Sequence, residues 1–265
     1  MPIRRPTARA APDEMGQRAS QIRPNVPHGP CGDCGRALVP FRAPTGRIRG
    51  AQRCRHERMN PVETLVHVCR HGEVFNPAGV LYTRLPGYHL SQRGQAMAAR
   101  LGEYFADTPL TALRCSPLER AQETMAPIAA GHPDLQVGID ARLLEADSHL
   151  AGMTGAQRRH PGAWRWYLDP LRPSWGEPYD QMAARMLAAI ADAAAIAGPG
   201  AQACIVTHQC PIWVARLAVE HRPLAHLPFQ RHCTLASVTT FAVDDAGALR
   251  FAAYEEPARD LLPRR

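Results

Sequence analysis

The sequence predicts a three-layer α/β/α sandwich around a mostly parallel sheet, and three observations predict it. From residue 61 onward, short apolar, β-branched runs alternate with longer stretches of helical periodicity, the pattern of buried strands joined by helical crossovers. The last such run is followed by two strand-like segments around a turn at Asp245-Ala-Gly247, which reads as an antiparallel hairpin. No internal repeat interrupts this order.

The elements follow along the chain. Thr64 to Cys69 is a short apolar, β-branched run and predicts a buried strand, ending at Arg70-His71-Gly72-Glu73. Ser91-Gln-Arg-Gly94 opens a helix running to about Asp107, with Ser91 as N-cap and Ala98, Leu101, Tyr104 and Phe105 on one face. A second strand is predicted over Thr111 to Cys115, a helix over Pro117 to Ala130 and a third strand over Leu135 to Ile139. Ala141 to Trp175 is looser and carries Trp164, Trp166 and Trp175. Glu177 to Ala197 is Ala-rich and amphipathic and predicts a helix packed on the sheet. Gln202 to Thr207 reads as a buried strand and Gln209 to Glu220 as a helix. Thr234 to Val243 and Leu249 to Tyr254 form the closing hairpin.

The 265 residues divide unevenly in charge. All 31 basic residues are arginine and the formal charge is +7, yet the first 60 residues alone carry +8 and the remaining 205 carry −1. Eight prolines, six glycines and twelve arginines without periodicity make residues 1–60 an expected disordered extension, and residues 61–265 the folded domain. Two other readings of the extension stand beside this one. Cys31-Gly-Asp-Cys34 and Cys54-Arg-His56 offer four possible zinc ligands, though the second pair is tight for a zinc half-site. Alternatively, translation from Met59 would leave 207 residues and exclude the segment from the native product.

A near-neutral folded part excludes a nucleic-acid-binding domain, whose positive stripe would lie on folded elements. No 18-residue apolar run exists, so no membrane span is expected, and Arg4-Arg5 lacks the apolar region of an export signal. Eight cysteines are too few for a disulfide scaffold. Cys69, Cys115, Cys204, Cys210 and Cys233 lie in apolar contexts and are expected to be reduced core thiols of a cytoplasmic protein.

The chemistry concentrates at three predicted strand ends. Arg70 and His71 follow the first strand, with Gly72 allowing close approach of an anion. Ser116 and Arg120 follow the second at the opening of a helix, and His208 ends the Gln202 to Thr207 run. Two arginines and two histidines can hold a phosphoryl group, because the guanidinium fork matches phosphate oxygens and an imidazole can act as nucleophile.

With Arg70-His71-Gly72-Glu73, the Ser116-Pro-Leu-x-Arg120-Ala-x-x-Thr124 segment, Leu143-Leu144-Glu145 and His208 in that order, the sequence resembles the histidine phosphatase superfamily, the phosphoglycerate mutase-like proteins of branch 1. The resemblance spans about residues 62 to 256. It implies that His71 is the nucleophile that becomes phosphohistidine, and that Arg70, Arg120 and His208 bind the phosphoryl oxygens. It implies that Glu145 is the general acid and base, with Glu73, Asp147 and Glu177 as alternative carboxylates. It also places Asn76 beside the phosphate pocket. No metal or cofactor is implied, because Arg and His supply the counter-charge.

The stretch after Glu73, Val74-Phe-Asn-Pro77, departs from the glycolytic mutases, and His208-Gln209 departs from the acid phosphatases. The expected activity is therefore hydrolysis of a small phosphorylated metabolite. A mutase-type phosphotransferase and a non-catalytic phospholigand-binding module are the alternatives. The expected partner is the small substrate alone, with no nucleic acid or membrane, and a homodimer as an open option. Tyr82, Tyr88, Trp164, Trp166, Tyr167 and Trp175 either line the substrate pocket or belong to the core.

Overall fold

The structure is a computed structural model that describes residues 62–168 and 175–263, with the Tyr167 side chain excepted. The predicted extension 1–60, including Cys31, Cys34, Cys54 and His56, lies outside the described residues.

In chain order the regular elements are β1 (Thr64–Arg70), α1 (Gln92–Phe105), β2 (Leu110–Cys115), α2 (Glu119–Ala130), β3 (Val137–Ile139), α3 (Gly155–Arg159), α4 (Tyr179–Ala197), β4 (Gln202–Thr207), α5 (Gln209–Val219), β5 (Val238–Val243) and β6 (Leu249–Glu255). Short 3₁₀ turns cover Ala141–Leu143, Pro161–Tyr167, Pro228–Gln230 and Arg259–Leu261. The six strands form one sheet in the order β3-β2-β4-β1-β5-β6. β3, β2, β4 and β1 run parallel, and the β5–β6 hairpin joins β1 antiparallel.

Alternation along the strands separates the layers. Val66 and Val68 of β1, with Ala203 and Ile205 of β4, pack against Met186, Ile190, Ile212 and Ala215 of α4 and α5. The intervening Cys69, Cys204 and Val206 face Met97, Leu101, Met125 and Ile128 of α1 and α2. Burial on both faces explains why these strands read as short, largely apolar runs. Each large apolar side chain buried there contributes roughly 1.5–3 kcal/mol of transfer free energy, which holds the strand ends in place.

Ser91 caps α1, its hydroxyl accepting from the Gly94 N–H at 3.0 Å. The buried stripe of α1 is Gly94, Met97, Ala98, Leu101 and Phe105. Tyr104, expected on that face, is instead 37% exposed and its hydroxyl donates to Glu255. It lies about 100° round the helix from Phe105, outside the 94-97-98-101-105 stripe. α2 starts at Glu119 rather than Pro117, because Leu118 remains extended. α4 starts at Tyr179 rather than Glu177, behind Pro178, with Glu177 drawn into ion pairs. β3 is shorter than expected and β6 one residue longer.

Candidate active site

The parallel register sets three strand ends level. Arg70 of β1 pairs with Thr207 of β4, and Cys115 of β2 pairs with Val206. The ladder continues one step further, the His71 N–H donating to Thr207 O and the Ser116 N–H to Val206 O, each at 3.0 Å. His71, Ser116 and His208 thus leave three adjacent strands at the same edge, where α/β sheets bind ligands.

The loop after β1 lies against the start of α1. A β-carbon on Gly72 would come within 2.6 Å of Gly94 O, and one on Gly94 within 2.0 Å of Glu73 O, so both glycines serve close backbone packing. The Gly72 N–H donates to Thr124 Oγ1 at 3.1 Å, and that hydroxyl donates to Arg120 O at 2.7 Å. Thr124 therefore ties the β1 loop to α2.

His71 is buried, and its Nδ1 lies 2.7 Å from Gly72 O. A carbonyl only accepts, so Nδ1 carries the proton and the neutral ring keeps its lone pair on Nε2. Burial, then the charges of Arg70 and Arg120, depress the His71 pKa well below the ordinary imidazole value. His208 is depressed in the same direction by burial, then by His71, Arg120 and Arg70. The two rings stand 5.1 Å apart, and Ser116 Oγ lies 2.8 Å from His208 Nε2. Ser116 thus orients His208.

Buried polar atoms ordinarily have partners. Here Arg70 Nε, Arg120 Nε and Nη1, and His208 Nδ1 are buried with none among the described residues. Arg120 is fully buried, held by Nη2 donating to Thr83 O and by the Tyr82 ring 4.8 Å from its guanidinium carbon. Arg70 Nη1 donates to Cys233 O at 2.7 Å. Two guanidinium groups with open donors beside a neutral histidine form a cradle for an oxyanion.

Glu145 lines the same cavity as Arg70 and His71, a space of about 980 Å³. Its Oε1 accepts from the Ala146 N–H at 2.8 Å. Its backbone carbonyl accepts from Arg84 Nε at 2.6 Å, and Thr207 Oγ1 donates to Leu143 O at 2.6 Å, which fastens the segment to β4. Of the alternative carboxylates, two are drawn into side-chain pairs and the third, Asp147, makes the same next-residue contact as Glu145. Glu73 accepts from Ser91 Oγ at 2.6 Å, Glu177 binds Arg84 and Arg185, and Asp147 Oδ1 accepts from the Ser148 N–H at 2.8 Å. None of the three lines the cavity.

Asn76, like the fully buried Arg120 and His208, is not among the lining residues. Its Nδ2 donates to Val80 O at 2.8 Å and its Oδ1 accepts from the Val80 N–H at 3.1 Å, so the amide clasps its own loop. Of the aromatic candidates, Tyr82, Trp164 and Trp175 line the cavity. Tyr88 stacks on Tyr82 and Trp166 on His149. The Tyr167 side chain lies outside the described residues. Thr124 closed the Ser116 motif in the sequence, but its bond to Gly72, like the contacts of Thr207, Arg84 and Arg185, had no signal in spacing because it forms across the fold.

A mostly parallel α/β sandwich with a histidine-centred anion cradle at three strand ends defines the class. The chain belongs to the histidine phosphatase superfamily (branch 1), whose family model matches residues 66–254. It is 48% identical over 206 residues to the uncharacterized protein Rv0525 of Mycobacterium tuberculosis, covering 75% of this chain and 98% of that protein. Among solved structures it is similar to Bacillus stearothermophilus YhfR, with a TM-score of 0.63, 26% identity, and coverage of 72% of this chain and 96% of the other. The mycobacterial glucosyl-3-phosphoglycerate phosphatase Rv2419c shares the fold, with a TM-score of 0.60, 23% identity, and coverage of 72% and 96%.

Proposed function

We propose that the protein is a phosphomonoesterase that works through a phosphohistidine on His71. The observation that carries this reading is the tautomer of His71, with Nδ1 held by Gly72 O and Nε2 left as the nucleophilic nitrogen beside unpartnered donors of Arg70 and Arg120.

Nε2 attacks phosphorus, and the bond from phosphorus to the ester oxygen breaks as the N–P bond forms. Arg70, Arg120 and His208 hold the phosphoryl oxygens, and Glu145 gives the departing alkoxide a proton. Water then attacks the phosphohistidine and passes a proton to Glu145, while the N–P bond breaks and restores the imidazole. Phosphate leaves with no net change in either side chain. The position of Glu145 in the cavity supports turnover over mere phospholigand binding, which would dispense with a carboxylate. Two guanidinium charges supply what a metal ion supplies elsewhere, so chelators leave the activity intact.

No helix among the described residues is long and apolar enough to cross a membrane. We place the enzyme in the cytoplasm, where Cys69, Cys115, Cys204, Cys210 and Cys233, all buried, would persist as core thiols.

The test is to quench the enzyme during turnover of a labelled aryl phosphate and look for an acid-labile, alkali-stable phosphoprotein. The wild type should show it and His71→Ala should not. A His71→Ala protein that still turns over the ester sinks the reading.

A further inference from the structure

The cavity contains more positive charge than one phosphoryl group uses. Besides Arg70, its wall carries Arg158 and Arg159 of α3 and Arg231 after the Pro228–Gln230 turn, against Glu145 as the one lining carboxylate among the described residues. Arg158 and Arg159 converge: a β-carbon added to Gly155, itself in the wall, would lie 3.4 Å from Arg159 Nη1 and 3.9 Å from Arg158 Nη2.

Arg231 is held in place without a carboxylate partner among the described residues. Its Nε donates to His226 Nε2 at 2.8 Å, and His226 Nδ1 donates to Leu224 O at 2.7 Å, which fixes the neutral tautomer of that histidine. Elsewhere in the chain Arg84, Arg142, Arg185, Arg216 and Arg250 each pair with a carboxylate. Arg158, Arg159 and Arg231 have no such pair among the described residues. The same lining carries apolar and aromatic side chains, Leu81, Tyr82, Leu150 and Trp175.

We infer that the substrate carries a second anionic group, a carboxylate or further phosphate, bound by Arg158, Arg159 and Arg231 and joined to the scissile phosphoester through an apolar or planar body. The inference rests on the phosphoryl site proposed above and names its substrate class. Arginine is suited to the task because its fork binds either anion bidentately.

The test uses matched aryl phosphates with a para substituent on zero to four methylene spacers, ending either in a carboxylate or in the neutral carboxamide. At the best spacer the wild type should prefer the carboxylate by about tenfold or more in kcat/KM, as expected for charge-assisted bonds. The preference should collapse toward one in Arg158→Gln/Arg159→Gln and weaken in Arg231→Met. In Arg165→Gln, a control whose guanidinium lies over Trp166 instead, it should persist. If the double variant does not fold, the exposed Arg159→Gln alone should lower the ratio. A wild-type ratio near one at every spacer, or a ratio unmoved by the arginine variants, overturns the inference. If no ester is hydrolysed, the phosphatase reading fails separately. Calorimetry with the corresponding aryl phosphonates then still reads the carboxylate preference.

Discussion

The phosphoryl cradle and the arginine-bearing wall are built by opposite means. In the cradle, His71, Ser116, Arg120, Thr124 and His208 are all buried, and they project from strand ends and a helix locked into the sheet. The wall comes from a five-residue helix and two 3₁₀ turns, and each turn carries an open aromatic ring, Trp164 at 61% and Phe229 at 81% exposure. Chemistry benefits from fixed donors and excluded water, whereas recognition can sit on segments that change without disturbing the core. Substitutions should therefore damage catalysis in the cradle and selectivity in the wall.

The largest effects should fall in the buried cradle. His71→Ala should lower kcat/KM for an aryl phosphate by roughly 10³-fold or more, since it removes the nucleophile itself. Glu145→Gln should depend on the leaving group. With an alkyl phosphate, whose alkoxide requires protonation, the loss should be about 10²–10⁴-fold, whereas para-nitrophenyl phosphate should lose far less. Equal losses on both esters would remove Glu145 from the acid role.

Arg120→Met separates catalysis from stability at one residue. The guanidinium is fully buried with two nitrogens unpartnered, so its charge is stabilised mainly when an oxyanion occupies the cradle. Replacing it by an apolar side chain of similar length should lower kcat/KM by about 10²–10³-fold. The same change should raise unfolding free energy by about 1–4 kcal/mol in phosphate-free buffer, as replacement of buried charge often does. Saturating phosphate should shrink that gain, because the wild type binds it more tightly. A variant that is less stable in both buffers would show Arg120 to be a structural residue.

The same burial fixes a pH dependence of stability. His67, His71, His208 and His226 all have pKa values lowered by burial in the folded protein. The unfolded chain takes up protons near the ordinary value of about 6.5 that the folded chain refuses. Stability should therefore decline as pH falls from about 6.5 toward those lowered values. His89, raised by half-buried Glu123, acts in the opposite sense but is open to solvent. Urea unfolding at about pH 7.5 and 5.5, either side of the ordinary imidazole value, reads the slope. Arg120→Met should reduce it, because that change lifts one of the charges that depress His71 and His208. Greater stability at the lower pH would contradict the neutral-imidazole assignment.

How much of this was legible in the sequence follows the same division. β1, β2 and β4 were readable because burial writes short, largely apolar runs, and the motif residues His71, Arg120 and His208 sit directly after those runs or one helical turn beyond. Arg158, Arg159 and Arg231 were not readable. They come from separate short elements, and only tertiary structure brings them to one wall. Tyr104 was misplaced, and the Val80 partner of Asn76 was not foreseen, for a related reason: pattern identifies an element, but a side chain's final partner depends on what the fold sets beside it.

The smallest expected effect tests whether the open wall is truly independent of the fold. Trp164 lines the cavity yet is 61% exposed, so its ring contributes little to the core. Trp164→Ala should change unfolding free energy by no more than about 0.5 kcal/mol, a shift of about 1–2 °C in Tm for a domain of this size. Its effect should appear in KM for bulky aryl phosphates, which would rise a few-fold as stacking area is lost. A fall in Tm well beyond that range would mean that the aromatic wall is part of the core after all, and the contrast between cradle and wall would then be one of chemistry alone and not of construction.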